Sequence, residues 1–272
     1  MNVQRTALLN GLRHLLCFEL TKLLNGKNLE INNLIMINIQ DIQKQYNKIT
    51  VLDVPSLTIN QGESIGLVGN NGAGKSTLLS LILDIIQANT GTIYSKNVPV
   101  NETEAWKFYT GSFLNESFLI PYLTPYEYLS FVASLHKISN EQRDAFFAEH
   151  AAFFSIEPKA KTLIRELSAG NRNKIGILGA LLPKPEILIL DEPFSFLDPT
   201  SQSWLKTTLK KLHQEGMTML ISSHDLAHIT EISDRMILLE KGKVIEDKPK
   251  TEETLGELET YFTVRVNNET II

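Results

Sequence analysis

Gly69-Asn70-Asn71-Gly72-Ala73-Gly74-Lys75-Ser76-Thr77 decides the fold, because these nine residues fit the phosphate-loop pattern G-x-x-x-x-G-K-[ST]. The run before them, residues 63–68, predicts a short buried strand, and residues 77–83 predict a helix. Gly72 and Gly74 let the backbone approach phosphate closely, and the helix N-terminus adds a positive dipole. We expect Lys75 to reach the outer phosphates and the Ser76 hydroxyl to ligate Mg²⁺. The stretch therefore predicts a nucleoside triphosphate site in which all nine residues contact the nucleotide.

Length and composition indicate an ordinary globular protein. The chain has 272 residues, of which 43% are hydrophobic and 21% are charged. Its net charge of −5 provides no overall attraction to nucleic acid, so no nucleic-acid partner is expected. Cys17 is the only cysteine, which excludes an internal disulfide and suits a reducing cytoplasm. No run approaches 18 apolar residues, so any membrane association is expected to come through a partner.

The amino-terminal residues 1–35 lie outside every motif. Leucines recur there at helical spacing, and Asn25-Gly26 is a suitable stop for a helix. One interpretation is an amphipathic helix that contacts a membrane or a partner. The other is a poorly ordered extension, which is favoured because Met36 begins the first recognisable strand.

The pattern of the remaining chain predicts an α/β fold. Alternating residues from 37 to 59 indicate an antiparallel β layer, with Tyr46 in a polar turn between two of its strands. Aromatic residues and helical patterns from about 103 to 180 indicate an inserted helical region. From 187 to 239, strands alternate with helices, which is typical of a mainly parallel sheet with helical crossovers.

Two acidic residues follow the apolar strand predicted at 187–190. Open α/β sheets place ligands beyond the carboxyl ends of their strands, so Asp191 and Glu192 are expected at the phosphate site. Asp191 can hold Mg²⁺ directly or through water, and Glu192 can polarise the water that attacks the γ-phosphate. His224 follows a neighbouring predicted strand, where a lone histidine fits a structural role as well as a catalytic one.

Together these motifs resemble the ATP-binding subunit of an ABC transporter, over about residues 37–250. The phosphate loop alone also fits kinases and GTPases, but Leu167-Ser168-Ala169-Gly170-Asn171 looks like the ABC signature in its usual place. The resemblance implies a P-loop NTPase core in a domain over 36–250, with a helical subdomain at about 103–180. Residues 251–272 would then form a carboxy-terminal helix and tail.

The resemblance also implies an ATP sandwich of two head-to-tail copies. Each nucleotide would be held by the phosphate loop of one copy and by Ser168 and Gly170 of the other. Tyr46 matches the aromatic residue that stacks on adenine, and His224 matches the switch histidine that contacts the γ-phosphate. Residues 195–198 look like the loop that links the two sites.

Three positions depart from the commonest family pattern. Ala169 and Asn171 replace glycine and glutamine of the signature, and neither change removes a group essential for hydrolysis. Asn115 replaces the glutamine of the glutamine loop, which contacts Mg²⁺ and senses the permease. Asn115 is therefore a candidate nucleotide and metal contact, although either Asn115 or its neighbour Glu116 can fill this role.

The region 118–128 resembles exporter-type bacterial ATPases whose permease is a separate polypeptide. The expected protein is thus an ATPase subunit that binds ATP and Mg²⁺, dimerises, and acts on a separate permease at the cytoplasmic face of a membrane. The aromatic cluster near Phe118, Leu119 and Tyr122 is the candidate permease-binding groove. The alternative is a soluble ABC ATPase of translation or DNA maintenance, which the single domain and the lack of heptads disfavour.

Overall fold

The structure is a computed structural model that describes residues 35–154 and 161–269. These described residues form two sheets and seven α-helices, with three short 3₁₀ helices. The strands are β1 (Ile35–Tyr46), β2 (Ile49–Asn60), β3 (Ser64–Val68), β4 (Thr90–Ser95), β5 (Val98–Pro99), β6 (Thr110–Phe113), β7 (Ile187–Asp191), β8 (Thr218–Ser222), β9 (Arg235–Glu240) and β10 (Lys243–Pro249). The helices are α1 (Lys75–Ile82), α2 (Pro125–Leu135), α3 (Asn140–Glu149), α4 (Ala169–Leu181), α5 (Pro199–Gln214), α6 (Leu226–Ile232) and α7 (Thr254–Glu269).

The larger sheet has six strands in the order β10-β9-β3-β8-β7-β6. Every neighbouring pair in it is parallel except β10 with β9, so the predicted mainly parallel sheet is confirmed. Both faces of β7 are buried: Ile187 and Ile189 join one apolar core, and Leu188 and Leu190 join the other. A strand covered on both faces needs apolar residues at every position, which explains the continuous run.

The antiparallel layer is the smaller sheet, in the order β2-β1-β4-β5. Its strands β1 and β2 each have twelve residues, and are longer than the segments visible in the sequence pattern. The turn between them holds Asn47 and Lys48 at φ values of 49° and 68°, the left-handed backbone of a two-residue hairpin. Tyr46 is the last residue of β1, one position before this turn. One of the two cores lies between the sheets, around α1.

The helical region differs in detail from the prediction. β6 lies within 103–180 but pairs in parallel with β7, and the α-helices of this region begin only after this strand. α2 and α3 each start with a reciprocal capping box, at Thr124 with Glu127 and at Ser139 with Gln142. α3 ends at Glu149, where the chain turns and buries Phe153 in the core.

A strand and a helix follow β9 at the carboxy-terminal end of the described chain. The turn at 241–242 joins β9 to β10, and α7 occupies most of the predicted carboxy-terminal segment. Residues 1–34 lie outside the described residues, so both interpretations of the amino-terminal segment stay open. The predicted domain boundaries also stay predictions. Among the helices described here, none combines the length and the apolar character needed to cross a bilayer.

Candidate nucleotide site

The phosphate loop joins β3 to α1 at the carboxyl edge of the six-stranded sheet. Gly74 caps α1 in the left-handed region, with φ of 106°, which favours glycine. Gly69 packs against the neighbouring strand so closely that a Cβ there would lie 2.3 Å from the backbone oxygen of Leu239. The loop therefore needs glycine for its turn at one position and for close packing at the other.

Lys75 is held over the loop although its side chain is only 7% exposed. Its Nζ donates to the backbone oxygen of Gly69 at 2.6 Å and lies 3.6 Å from Oε1 of Glu192. A buried ammonium needs such partners. These contacts fix the charge at the phosphate loop, and the contact of Lys75 with the outer phosphates stays a prediction.

Asp191 links three elements at the same edge. Ser76 Oγ, in the first turn of α1, donates to Asp191 Oδ2 at 2.5 Å. Ser222 Oγ, at the end of β8, donates to Asp191 Oδ1, and the two residues are paired in the β7–β8 register. The carboxylate is 8% exposed, so its oxygens are fixed by these hydroxyls within a largely buried site.

Glu192 and His224 form a hydrogen-bonded pair. Glu192 Oε2 accepts from the backbone N–H of His224 at 3.0 Å and lies 2.6 Å from His224 Nδ1. The backbone N–H of Glu192 donates to Ser222 Oγ at 3.0 Å. Glu192 has a φ of 48°, a left-handed conformation rare outside glycine and often retained at functional sites.

Tyr46 lies at the end of the β1–β2 hairpin that faces the phosphate loop. The backbone oxygen of Val51, in the same hairpin, lies 3.4 Å from the position that a Cβ of Gly74 would occupy. The Tyr46 ring is 49% exposed and has Lys44 Nζ 5.0 Å from its centroid. The ring is exposed, and its stacking on adenine stays a prediction.

The signature forms the start of α4. Ser168 is the N-cap, and its Oγ accepts from the backbone N–H of Asn171 at 3.3 Å. A Cβ at Gly170 would lie 2.5 Å from the backbone oxygen of Phe196. In the part of the chain that the structure describes, no hydrogen bond or ion pair joins the phosphate loop to Ser168 or Gly170. The signature is therefore not part of the cluster around Lys75.

The glutamine-loop segment has partners of its own. Asn115 caps a short 3₁₀ helix at Glu116–Phe118, and its Oδ1 accepts from the backbone N–H of Ser117 at 2.9 Å. Glu116 pairs with Arg172 in the first turn of α4. The Asn115 role at the metal stays a prediction, since its side-chain oxygen here serves the local cap.

The loop at 195–198 is anchored at both ends. Asn173 Nδ2 donates to the backbone oxygens of Pro193 and Ser195, each at 2.8 Å. Asp198 caps α5, accepting from the backbone N–H and the hydroxyl of Ser201. These hydrogen bonds, together with Lys174 Nζ at 3.3 Å, lower the pKa of the Asp198 carboxyl well below its usual range.

Three of these polar side chains were not predicted from the sequence as site residues: Ser222, Arg172 and Asn173. The sequence pattern could have indicated Ser222, because this residue ends a buried strand next to the strand that ends in Asp191. Arg172 and Asn173 follow the signature directly, but their partners lie on segments distant in the sequence. Only the tertiary structure brings these groups together.

Comparison with known proteins places the chain in a family. The family model described as ABC transporter matches residues 52–195. The linearmycin resistance ATP-binding protein LnrL of Bacillus subtilis is 33% identical over 218 residues, covering 80% of this chain and 70% of that protein. An uncharacterised ABC transporter ATP-binding protein of the same organism, YhaQ, is 34% identical, covering 79% of this chain and 72% of that protein.

Solved structures agree with this assignment. A dimer of the ATP-binding cassette MJ0796 in a post-hydrolysis state with ADP and Pi has a TM-score of 0.71 and 26% identity, covering 79% of this chain and 98% of that chain. The chain therefore belongs to the ABC transporter family, as an ATP-binding and ATP-hydrolysing subunit. The alternative role in translation or DNA maintenance is not supported.

Proposed function

We propose that two copies of this chain close head to tail around two MgATP molecules and hydrolyse them to drive a separate membrane permease. One observation carries the proposal: Lys75, Asp191 and Glu192 converge at one sheet edge, whereas Ser168 and Gly170 present a second, separate motif. A second copy would bring its signature to this edge and complete the site. Tyr46 would stack on the adenine, and His224 would contact the γ-phosphate.

The donor set at this edge suits Mg²⁺. The Ser76 hydroxyl and the Asp191 carboxylate are hard oxygen donors 2.5 Å apart. Among the described residues, no group of three or more His, Cys, Asp or Glu side chains is placed to hold a metal. Mg²⁺ would therefore be held by Ser76 and Asp191 together with phosphate oxygens, with Asn115 as a further candidate ligand. When bound, it supplies charge neutralisation at the phosphates.

Glu192 is the candidate base. Its backbone is fixed by Ser222, and its carboxylate is oriented by His224 and lies close to Lys75. A carboxylate held this way can orient a water molecule and accept its proton as the water attacks the γ-phosphate. Lys75 would meanwhile neutralise charge on the transferred group.

The permease partner is proposed from exposed aromatic residues on the helical region. Phe118 and Tyr122 are 50% and 70% exposed, which is unusual for side chains of this size. Leu119, expected in the same cluster, is buried and is not part of this surface. The relatives that match are subunits of transporters, and a permease would place the chain at the cytoplasmic face of its membrane.

Glu192→Gln tests the proposal. The substitution keeps the size of the side chain but removes the negative charge that the attacking water needs. ATP binding should survive, and turnover should fall by at least ~100-fold, as expected for the loss of a positioned acid–base group. The γ-phosphate of the unhydrolysed ATP should then hold two copies together, so that gel filtration with ATP shows a dimer.

Glu186→Gln is the matched control, since Glu186 lies just before β7, at the opposite end of the strand that leads to Glu192, and pairs with Lys96 on the surface. We expect this control to hydrolyse ATP normally. Near-normal hydrolysis by Glu192→Gln would refute the assignment of the base. An inactive variant that never dimerises with ATP would refute the head-to-tail pairing of the isolated subunit.

A further inference from the structure

An ion pair connects the glutamine-loop segment to the signature helix. Glu116 begins the 3₁₀ helix that follows β6, and Arg172 lies in the first turn of α4. Arg172 Nε donates to Glu116 Oε2. These two segments are far apart in the sequence, so the pair is a tertiary contact between the two motifs.

The same guanidinium also holds the residue before Ser168. Arg172 Nη1 donates to the backbone oxygen of Leu167 at 2.5 Å. One planar side chain thus joins Glu116 to the peptide group that precedes the signature serine. An arginine can do this because its donors are fixed in one rigid fork, whereas a lysine offers a single point charge.

The Glu116 end of this connection is itself constrained. Asn115 caps the 3₁₀ helix through its side-chain oxygen, which fixes the backbone that carries Glu116. Next to Arg172 in α4, Asn173 is buried and bonds to the backbone oxygens of Pro193 and Ser195. The start of α4 is therefore held by two neighbouring side chains: Asn173 bonds to the loop after β7, and Arg172 bonds to the segment after β6.

We propose that Glu116 and Arg172 form a positioning pair, which orients Ser168 and Gly170 for the nucleotide bound by a second copy of this chain. The inference rests on the ATP sandwich proposed above. Arg172 is 25% exposed and Glu116 is 53% exposed, so the pair contributes little to the stability of one chain. Its contribution should appear when the signature must meet a nucleotide in a fixed orientation.

The test uses the full chain carrying Glu192→Gln, whose ATP-dependent dimer is measured by sedimentation velocity. Adding Glu116→Gln or Arg172→Gln should raise the dimer dissociation constant at saturating MgATP at least ~10-fold, the scale of losing groups that orient a functional ligand. For Arg172→Gln, the affinity of the monomer for a fluorescent ATP analogue and the melting temperature should stay unchanged. A merely structural role would change these two quantities first.

Three further variants sharpen the test. Arg172→Lys should weaken the dimer to an intermediate degree, because lysine keeps the charge but cannot bridge Glu116 and Leu167. The dimer of the Glu116→Gln/Arg172→Gln double variant should be no weaker than the dimer of Arg172→Gln alone, since that substitution already removes the contact with Glu116. Glu231→Gln is the matched control, because it removes an exposed ion pair with Lys206 and Lys210 and should leave the dimer unchanged.

The outcomes separate the two proposals. If the Glu192→Gln parent dimerises and Glu116→Gln and Arg172→Gln match it, the positioning pair is refuted and the sandwich stands. If Arg172→Gln loses nucleotide affinity or melts early, the pair is structural and the inference is refuted. If the parent itself fails to dimerise, the sandwich fails and the inference fails with it.

Discussion

At the scale of single residues, the position of the Asp191 carboxylate depends on the neighbouring hydroxyl of Ser222. Ser222 donates its hydroxyl to Asp191 and accepts the backbone N–H of Glu192, so one side chain positions both acidic residues. Ser222 is fully buried at the end of β8. Its hydroxyl therefore acts on the site through these two residues, and not by contact with solvent.

Ser222→Ala should lower ATP turnover by about 10-fold, the lower end of the range for groups that orient functional residues. The loss should appear in kcat, because the hydrogen bond from Lys75 to the backbone oxygen of Gly69 does not involve Ser222. Ser233→Ala is the control: in the described residues the buried Ser233 hydroxyl has no hydrogen-bond partner, so its removal should change neither turnover nor stability adversely. Unchanged kcat in Ser222→Ala would show that Asp191 and Glu192 are positioned without this serine.

At the scale of secondary-structure elements, the packing of α4 depends on a small residue. Gly176 faces β6, and a Cβ added there would lie 2.0 Å from the Phe113 ring. A glycine in a helix interior costs about 0.5–1 kcal/mol relative to alanine. The close approach of α4 to the sheet explains why glycine is nevertheless present. This packing also sets the position of the signature at the start of α4.

Two glycine substitutions in helices should therefore act in opposite directions. Gly176→Ala should destabilise the protein by about 1–3 kcal/mol, because the added methyl group overpacks the core. Gly256→Ala in α7 should stabilise it by about 0.5–1 kcal/mol, since a Cβ there meets nothing within 4 Å. Urea unfolding of both variants measures the difference. Equal effects would contradict the close packing of α4 on β6.

The contact between α5 and α6 should make a pH-dependent contribution to the stability of the fold. Hydrogen bonds from Lys206 and Lys210 lower the pKa of Glu231 from 4.5 to about 2. A depressed carboxyl pKa stabilises the fold above the unfolded value, so this contribution is complete above pH 4.5 and is lost as the pH falls towards 2. The Glu231 side chain is 43% exposed, so solvent screening limits the contribution of this ion pair to the free energy of unfolding to below ~1 kcal/mol.

Glu231→Gln should consequently destabilise the protein slightly at pH 7 and less at pH 3. Urea midpoints of the variant and the unmodified chain at both pH values provide the measurement. Glu215→Gln, at an exposed pair with Lys211 whose atoms are 3.9 Å apart, is the control and should show no such pH dependence. A difference that grows at pH 3 would contradict the sign of the Glu231 pKa shift.

At the scale of the whole molecule, the arrangement implies that one chain holds two half-sites. The cluster around Lys75 and the signature at Ser168 are separate within the described chain. Two copies related by a twofold axis would pair each cluster with the signature of the other copy. This pairing makes a prediction that no single-chain site can satisfy.

Lys75→Ala and Ser168→Arg should each abolish hydrolysis, but a mixture of the two variants should recover part of it. A mixed dimer assembles one site from the intact phosphate loop of one copy and the intact signature of the other. Random pairing of equal amounts should restore roughly a quarter of normal activity. Coupled ATPase assays on the mixture measure this recovery. Each variant carries a different affinity tag, and purification on both tags in turn verifies that mixed dimers form. Complete inactivity of these mixed dimers would refute shared sites.

The sequence by itself determined the α/β fold, the place of the phosphate loop and the acidic pair at the end of β7. These features are readable because they are local: glycine spacing, apolar runs and the residue that ends a strand follow directly from backbone geometry. The tertiary structure alone decided that Ser222 supports Asp191, that β6 belongs to the sheet, and that Arg172 joins Glu116 to Leu167. Those contacts join segments distant along the chain, and their partners are set by how the elements pack rather than by any local pattern.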